Sequence, residues 1–213
     1  MKKSVYSLVL MDDVVKAVDN EAYRLGTSRS NLINQILAEH LSCVTPEMRM
    51  REIFSSLEEL VSGNFQVQQQ RSASLMTIKT ALDYKYRPTI SYKVELERIP
   101  DSRLGTLRVQ IRTQNSALTE LFNSFFVYRG KLEAAMSAKR GRSDYGCELV
   151  SGCFVRRLLG NGVESESTGE AISRYLDNLN KSIQVYFSSP QDFSVYAPKL
   201  EAEYAELLDE YMI

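Results

Sequence analysis

The chain has 213 residues, of which 44% are hydrophobic and 25% are charged, and its formal net charge is −1. These proportions are typical of a folded soluble protein, no apolar run approaches the length of a membrane span, and the N-terminus has no signal-peptide core. Three cysteines make a poor disulfide framework and fit a reducing compartment. We therefore expect a cytoplasmic protein that does not enter a membrane.

The chain opens with a short segment in which side chains alternate between two faces of a predicted strand. The larger, apolar face is suited to covering a core and carries Tyr6, Leu8 and Leu10. The opposite face is left for a ligand and carries Val5, Ser7 and Val9, with Lys3 beside them.

Two amphipathic helices are predicted next, joined by a turn at Gly26. The first begins at about Asp12, where Asp12 or Asp13 can cap it, and Gly26 ends it as a left-handed residue. Its apolar positions are Val14, Val15, Val18, Ala22 and Leu25. Ser28 caps the second helix. The apolar residues that this helix is expected to bury are Leu32, Ile33, Ile36, Leu37 and Leu41.

One short strand followed by two helices cannot bury its own apolar faces, whereas two copies can do so by pairing strands and interlocking helices. Over about residues 1–42, this arrangement resembles the ribbon-helix-helix DNA-binding family, the group of MetJ, Arc and CopG. The resemblance implies a homodimer, or a higher even-numbered oligomer, that inserts a two-stranded ribbon into the major groove of double-stranded DNA.

The resemblance also implies which residues meet the DNA. The bases would be contacted from the ribbon by Lys3, Val5, Ser7 and Val9. A DNA phosphate would be gripped at the start of the second helix by Thr27, Ser28, Arg29 and Ser30. Serine can exchange a hydrogen bond with a base edge, and valine can contact the methyl group of thymine.

Three regions are predicted along the chain. Residues 1–45 form the ribbon-helix-helix domain, residues 46–73 a helix and a linker, and residues 74–213 an α+β domain that senses a ligand, assembles or binds a partner. Thr45-Pro46 is well placed to open the helix. The apolar seam of this helix consists of Met50, Ile53, Leu57 and Leu60. This seam either continues the dimer contact or packs against the rest of the same chain.

In the third region, period-two patterns predict a three-stranded antiparallel meander, with strands at about 76–87, 90–97 and 106–112, covered by a helix over about 116–138. The predicted buried strand residues are Ile78, Leu82, Ile90, Tyr92, Val94, Val109 and Ile111, and the helix residues above them are Leu118, Leu121, Phe122 and Phe125. Residues 145–159 are apolar with an ambiguous period, and two further helices are predicted at about 170–187 and 198–211. The order of elements indicates an α+β fold.

Charge is unevenly distributed. Lys and Arg number seven against nine Asp and Glu through Asn64, fourteen against seven from Phe65 to Tyr145, and five against eleven thereafter. The basic middle block is either a nucleic-acid surface or an internal partner of the acidic tail, and we favour the latter.

The polar face of the predicted sheet carries a possible second basic face, formed by Lys79, Lys93, Arg108 and Arg112 together with Lys85 and Arg87. A solvated face is favoured over a second DNA contact, because Asp83, Glu95 and Glu97 on the same strands would repel phosphate. A pocket for a small effector between the sheet and its helix is a third alternative.

No catalytic arrangement is visible, so the protein is not expected to be an enzyme or to need a cofactor or metal. His40 is the only histidine. Cys147 and Cys153 are too far apart for a Cys-x-x-Cys ligand pair.

The leading interpretation is a dimeric, sequence-specific DNA-binding protein, in particular a bacterial or plasmid transcriptional regulator such as a repressor. The alternative is an antitoxin, or a relaxosome or partition accessory protein, whose C-terminal region binds another protein.

Overall fold

A computed structural model describes residues 5, 7–61, 65–68, 72–98, 103–142, 145–160, 165–211 and 213. The chain divides into two compact units, residues 1–49 and residues 50–213. Helices and an antiparallel sheet coexist in it, which confirms the α+β class. No helix in the described part of the chain is long and apolar enough to cross a membrane.

The first unit contains helix α1 (Asp12–Arg24) and helix α2 (Arg29–His40). The prediction that Asp12 or Asp13 caps α1 is wrong, because Met11 occupies the N-cap position and makes no side-chain capping bond. The two aspartates instead lie in the first helical turn, where a negative charge is favourable to the helix dipole.

The turn between α1 and α2 follows the sequence prediction. Gly26 has φ +62°, and the Thr27 N–H donates to the Ala22 carbonyl at 2.9 Å, closing α1. The Ser28 Oγ accepts a hydrogen bond from the Asn31 N–H at 3.3 Å, so Ser28 is the N-cap of α2.

The predicted N-terminal strand is not observed. Residues 5 and 7–10 lie in no strand, while Lys3 and Tyr6 fall outside the described residues. A strand needs a neighbour to complete its backbone hydrogen bonds, and the described part of the first unit contains no strand that could serve. The ribbon therefore remains a prediction about two copies of the chain.

Helix α3 (Pro46–Leu60) begins where it was predicted to begin, with the Thr45 Oγ1 accepting from the Met48 N–H at 3.1 Å. Three of its four seam residues pack on their own chain, because Met50, Ile53 and Leu57 are buried in the core of the second unit. The fourth, Leu60, is 44% exposed.

The sheet of the second unit has six antiparallel strands in the order β1-β2-β3-β4-β6-β5. They are β1 (Phe65–Gln68), β2 (Leu75–Ala81), β3 (Thr89–Leu96), β4 (Arg103–Arg112), β5 (Cys147–Val150) and β6 (Cys153–Leu159). The predicted meander corresponds to β2, β3 and β4, but three strands were missed. The prediction of a three-stranded sheet is thus corrected to six.

Each difference has a local cause. Strand β1 lies in the predicted linker, where Phe65 and Val67 supply only two apolar positions among glutamines. Strand β2 ends at Ala81 rather than near Arg87, because Tyr86 and Arg87 take positive φ angles in a turn. Tyr84 and Tyr86, which continue the alternating pattern, are consequently exposed.

Helices α4 (Ser116–Lys139), α5 (Ser165–Ser188) and α6 (Phe193–Glu210) supply most of the helical side of the core. The Tyr92 hydroxyl of β3 donates to the Asn180 Oδ1 of α5 at 3.1 Å, and Phe126 of α4 stacks on Phe154 of β6. The predicted apolar residues of the sheet and α4 all belong to this core, with Ile111 and Leu121 only partly buried. The opposite face of the sheet is polar.

Candidate nucleic-acid interface

The start of α2 is the first candidate anion site. The predicted phosphate contacts Thr27, Ser28, Arg29 and Ser30 lie together at this helix end, and all but the partly buried Thr27 are exposed. The first turn contains no acidic residue. Free N–H groups and the positive end of the helix dipole therefore face an accessible surface, which is the usual setting for phosphate binding.

Arg29 has a partner that the sequence did not indicate. Its Nη2 donates to the Asp19 Oδ2 at 2.7 Å, and its Nε pairs with the other oxygen of the same carboxylate. Ten residues and a turn separate the two side chains, so no helical spacing signalled the pair. An exposed ion pair contributes only about 0–1 kcal/mol, so a phosphate can compete for this guanidinium.

The predicted base-reading residues are highly accessible in one copy. Val5 and Val9 are fully exposed and Ser7 is exposed, while Lys3 lies outside the described residues. Leu8 and Leu10, which the prediction assigns to a core, are exposed as well. Neither face is thus covered within a single chain in the described part of this segment, residues 5 and 7–10.

Helix α2 also keeps much of its apolar surface exposed. Leu32 is buried as predicted, but Ile36 is 49% exposed, Leu37 47% and Leu41 65%. The predicted burial of these three residues is therefore not met within one copy. One copy therefore leaves this part of the apolar surface of α2 uncovered.

The second basic face is only partly as predicted. A groove of about 1060 Å³ lies on the polar face of the sheet and spans β1 to β4. Four cations line this open-face groove, namely Lys79, Arg87, Lys93 and Arg112. The described residues that line it include neither a carboxylate nor an aromatic ring, and most carry hydroxyl or amide groups.

Arg108 does not belong to the open-face groove. Its Nη1 donates to the Glu95 Oε2 at 2.6 Å, and Arg103 pairs similarly with Glu97 at 2.9 Å. Glu95 and Glu97, two of the three acidic residues that argued against a phosphate-binding face, are thus neutralised. None of the four groove cations takes part in these pairs, although Lys93 lies opposite Arg108 in the strand register.

A buried arginine cluster in the second unit was not predicted. Its centre is Glu133 of α4, which is completely buried. Four donors reach its carboxylate, Arg129 Nε at 2.5 Å, Tyr175 OH at 2.7 Å, Arg156 Nε at 2.8 Å and Tyr145 OH at 3.0 Å. Burial alone would raise the pKa of Glu133, but the charges of Arg129 and Arg156 outweigh burial and lower it to about 2.

The cluster holds two guanidinium groups for one carboxylate. Arg129 lies 4.1 Å from the ring centre of Tyr204, and Arg156 lies 4.1 Å from that of Tyr175. Arg156 also donates from its Nη2 to the backbone oxygen of Ile213 at 2.8 Å. These contacts offset part of the second positive charge. The buried Arg129 Nη2 and Arg156 Nη1 have no hydrogen-bond partner among the described residues. Because its charged groups are at most 1% exposed, the cluster stabilises the unit instead of forming an open site.

A smaller cavity of about 270 Å³ lies between α3 and strands β1 and β2, lined in part by Phe54, Val67 and Met76. An effector pocket was predicted between the sheet and α4, so this cavity lies elsewhere. The volume of the cavity is at the lower limit of ordinary small-molecule sites.

Among the described residues, no group of three or more His, Cys, Asp and Glu side chains is arranged to hold a metal ion. His40 is exposed near the end of α2, and Cys147 and Cys153 are free thiols. Comparisons of the chain with protein-family models, curated proteins and solved structures gave no match. Function is therefore inferred from the chemistry of the chain's own residues.

Proposed function

We propose that this protein is a homodimeric, sequence-specific DNA-binding protein of the ribbon-helix-helix kind, acting as a transcriptional regulator. The observation that carries the proposal is the combination found in residues 1–49. The start of α2 is capped and accessible to an anion, and the same unit has apolar surface that one copy leaves uncovered.

Dimerisation is supported by the small core of the first unit. In the described part of this unit, the buried hydrophobic residues are Ala22, Leu32 and Ala38. Such a core is too small to hold two helices and an extended segment together against the loss of conformational entropy. A two-fold axis would bring identical segments and identical α2 faces together and bury both.

DNA is supported as the ligand by the chemistry of both surfaces. Val5, Ser7 and Val9 offer apolar contacts and a hydroxyl of the kind that reads base edges in the major groove. The start of α2 offers N–H groups to a phosphate. Base-reading and phosphate-positioning contacts are the two kinds that a sequence-specific protein needs.

The first prediction concerns base reading by the ribbon. Ser7→Ala removes the only hydrogen-bonding side chain among the three described ribbon positions, so we expect it to change the preferred DNA sequence. Removing one hydrogen bond to a base typically costs about 1–3 kcal/mol at the affected position. The measurement is binding selection from random duplexes with the full chain.

Ser194→Ala, an exposed serine near the start of α6, is the matched control and should select the wild-type motif. An unchanged motif in Ser7→Ala would refute base reading by this residue. Selection of no motif by the wild type would contradict sequence-specific binding and favour a role in protein interaction.

The second prediction concerns the phosphate grip. Arg29→Ala should weaken binding to all duplexes about equally and reduce the salt slope of log affinity by about one for each phosphate that Arg29 neutralises. Asp19→Asn should have the opposite effect, because it releases Arg29 from its carboxylate partner. Both variants are measured by titrating duplex DNA at several salt concentrations.

Arg24→Ala is the matched control, since Arg24 is also an exposed arginine that is paired with a carboxylate in the first unit, that of Glu21. Its salt slope should equal that of the wild type. Equal slopes in Arg29→Ala and the wild type would remove Arg29 from the interface.

A further inference from the structure

We propose that the open-face groove binds the phosphate backbone of duplex DNA as a contact separate from the ribbon. The inference goes beyond the function proposed for residues 1–49, because it concerns the second unit alone. It assigns to Lys79, Arg87, Lys93 and Arg112 the role of sequence-independent phosphate contacts.

The charges of the groove are available to a ligand. Lys79, Arg87, Lys93 and Arg112 make no ion pair with any described residue. The nearby carboxylates either form ion pairs with arginines or lie outside the groove. Glu95 and Glu97 pair with arginines, and Asp83 lies in the turn after β2 and does not line the groove.

The acidic tail of the chain does not neutralise the groove. Its carboxylates pair with other cations on the helices, as in Lys181–Glu203, Arg140–Asp209 and Arg174–Glu170. Among the ion pairs of the described residues, Arg140–Asp209 joins the basic block to this tail, and it lies outside the groove. The positive surplus of the sheet face remains uncompensated by the described residues.

The lining favours a nucleic-acid backbone over bases. Hydroxyl and amide side chains such as Ser91 and Gln110 accompany the cations, and these are the groups that contact phosphate and sugar. Single-stranded nucleic acid is usually held by stacking on aromatic rings, which the described lining lacks. A second copy of the same face is disfavoured, because like charges would meet.

The cations are spread over the sheet so that several phosphates can be met at once. Lys79 of β2 is paired in register with Ser91 of β3, two residues from Lys93. With strands about 4.8 Å apart and a rise of about 3.4 Å per residue, the Cα atoms of Lys79 and Lys93 are about 8 Å apart. Arg112 extends the set to β4, opposite Thr89.

The test reverses two of these charges in the full chain. Lys79→Glu/Lys93→Glu should flatten the salt slope for a duplex of mixed sequence by about 1.8 per chain, or about 0.9 for each phosphate that is no longer neutralised. Affinity should fall at least tenfold at low salt. The variant should stay folded, because Lys93 is exposed and Lys79 only partly buried.

Lys131→Glu/Lys199→Glu is the matched control, because both lysines are exposed on helices and the net charge changes equally. It should bind as the wild type does. A wild-type salt slope in the groove variant, or an equal loss in the control, would overturn the proposal. Should the groove variant not fold, Lys93→Gln/Arg112→Gln is measured against the same criteria.

Further measurements distinguish DNA binding by the groove from DNA binding by the ribbon and from binding of a small phosphate ligand. In an Ile36→Asp background, which is expected to disrupt the proposed dimer without unfolding the chain, residual duplex binding should persist and should be lost with Lys79→Glu/Lys93→Glu. A selected motif that Ser7→Ala leaves unchanged, together with binding that the groove variant weakens, would count against base reading by the ribbon and support the groove. Thermal stabilisation by inorganic triphosphate that the groove variant loses, with DNA affinity unchanged, would overturn the DNA assignment in favour of a small phosphate ligand.

Discussion

Glu133→Gln is expected to destabilise the second unit by about 3–5 kcal/mol, the usual effect of removing one partner from a buried ion pair. The variant leaves Arg129 and Arg156 buried without a carboxylate between them. It also replaces an acceptor of four hydrogen bonds with an amide that offers only one acceptor oxygen. Chemical denaturation of the full chain, followed by circular dichroism, measures the change.

Glu120→Gln is the matched control, because Glu120 lies exposed on the same helix. Its free energy of unfolding should stay within about 0.5 kcal/mol of the wild-type value. A similarly small effect of Glu133→Gln would contradict the view that this carboxylate holds the core of the second unit together.

The same residue predicts a pH dependence. The folded-state pKa of Glu133 is lowered to about 2, below an unfolded value of about 4.3. Its stabilising contribution is therefore fully present above about pH 4.3 and is lost as pH falls towards 2. The wild type should lose more stability across this window than Glu133→Gln does.

Ile36→Asp is expected to convert the dimer to a monomer at micromolar concentration and to abolish sequence-specific DNA binding. Ile36 is 49% exposed in one copy, so a charge there should hardly disturb an isolated chain. In a dimer that buries α2, the same carboxylate would be desolvated without a partner, at a cost of several kcal/mol. Sedimentation analysis across a concentration series measures the change.

Two comparisons sharpen this test. Leu32→Asp should unfold the first unit in either state, because Leu32 is already buried. Asn34→Asp adds the same charge at an exposed polar position of α2 and should leave the dimer intact. A wild-type melting temperature that does not depend on protein concentration would argue against obligate pairing.

The first unit was largely predictable because its signals are local. Gly26 needs a left-handed conformation, and Ser28 caps a helix three residues before the amide that it binds, so both are visible in the sequence. The pairing of Arg29 with Asp19 depends on how the two helices cross. No spacing along the chain encodes that crossing.

The second unit was predictable where its strands alternate. Strands β2, β3 and β4 have one polar face and one buried face, which gives a clear period of two, except beyond Ala81. Strand β6 is mostly buried and includes buried Arg156, so its period is obscured. Arg129 and Glu133 have the spacing of an ordinary surface pair on a helix, and only tertiary packing reveals that they are buried.

The open-face groove was predictable from the sequence only in part. Alternation placed Lys79, Lys93 and Arg112 on one face, but it could not show which cations had partners. Arg108 lies opposite Lys93 in the strand register but pairs with Glu95, so it is not one of the groove cations. Arg87 lies in a turn and is the fourth groove cation.

Amide hydrogen exchange of the full chain, alone and with duplex DNA, tests the central claim most directly. Residues 7–10 belong to no strand within one copy, so only pairing between copies can protect their amides strongly. We expect slow exchange in this segment at concentrations that favour the dimer, and added protection at residues 27–30 when DNA is present. Exchange of residues 7–10 at the rate of an unstructured peptide at every concentration, unchanged by DNA, would contradict the account.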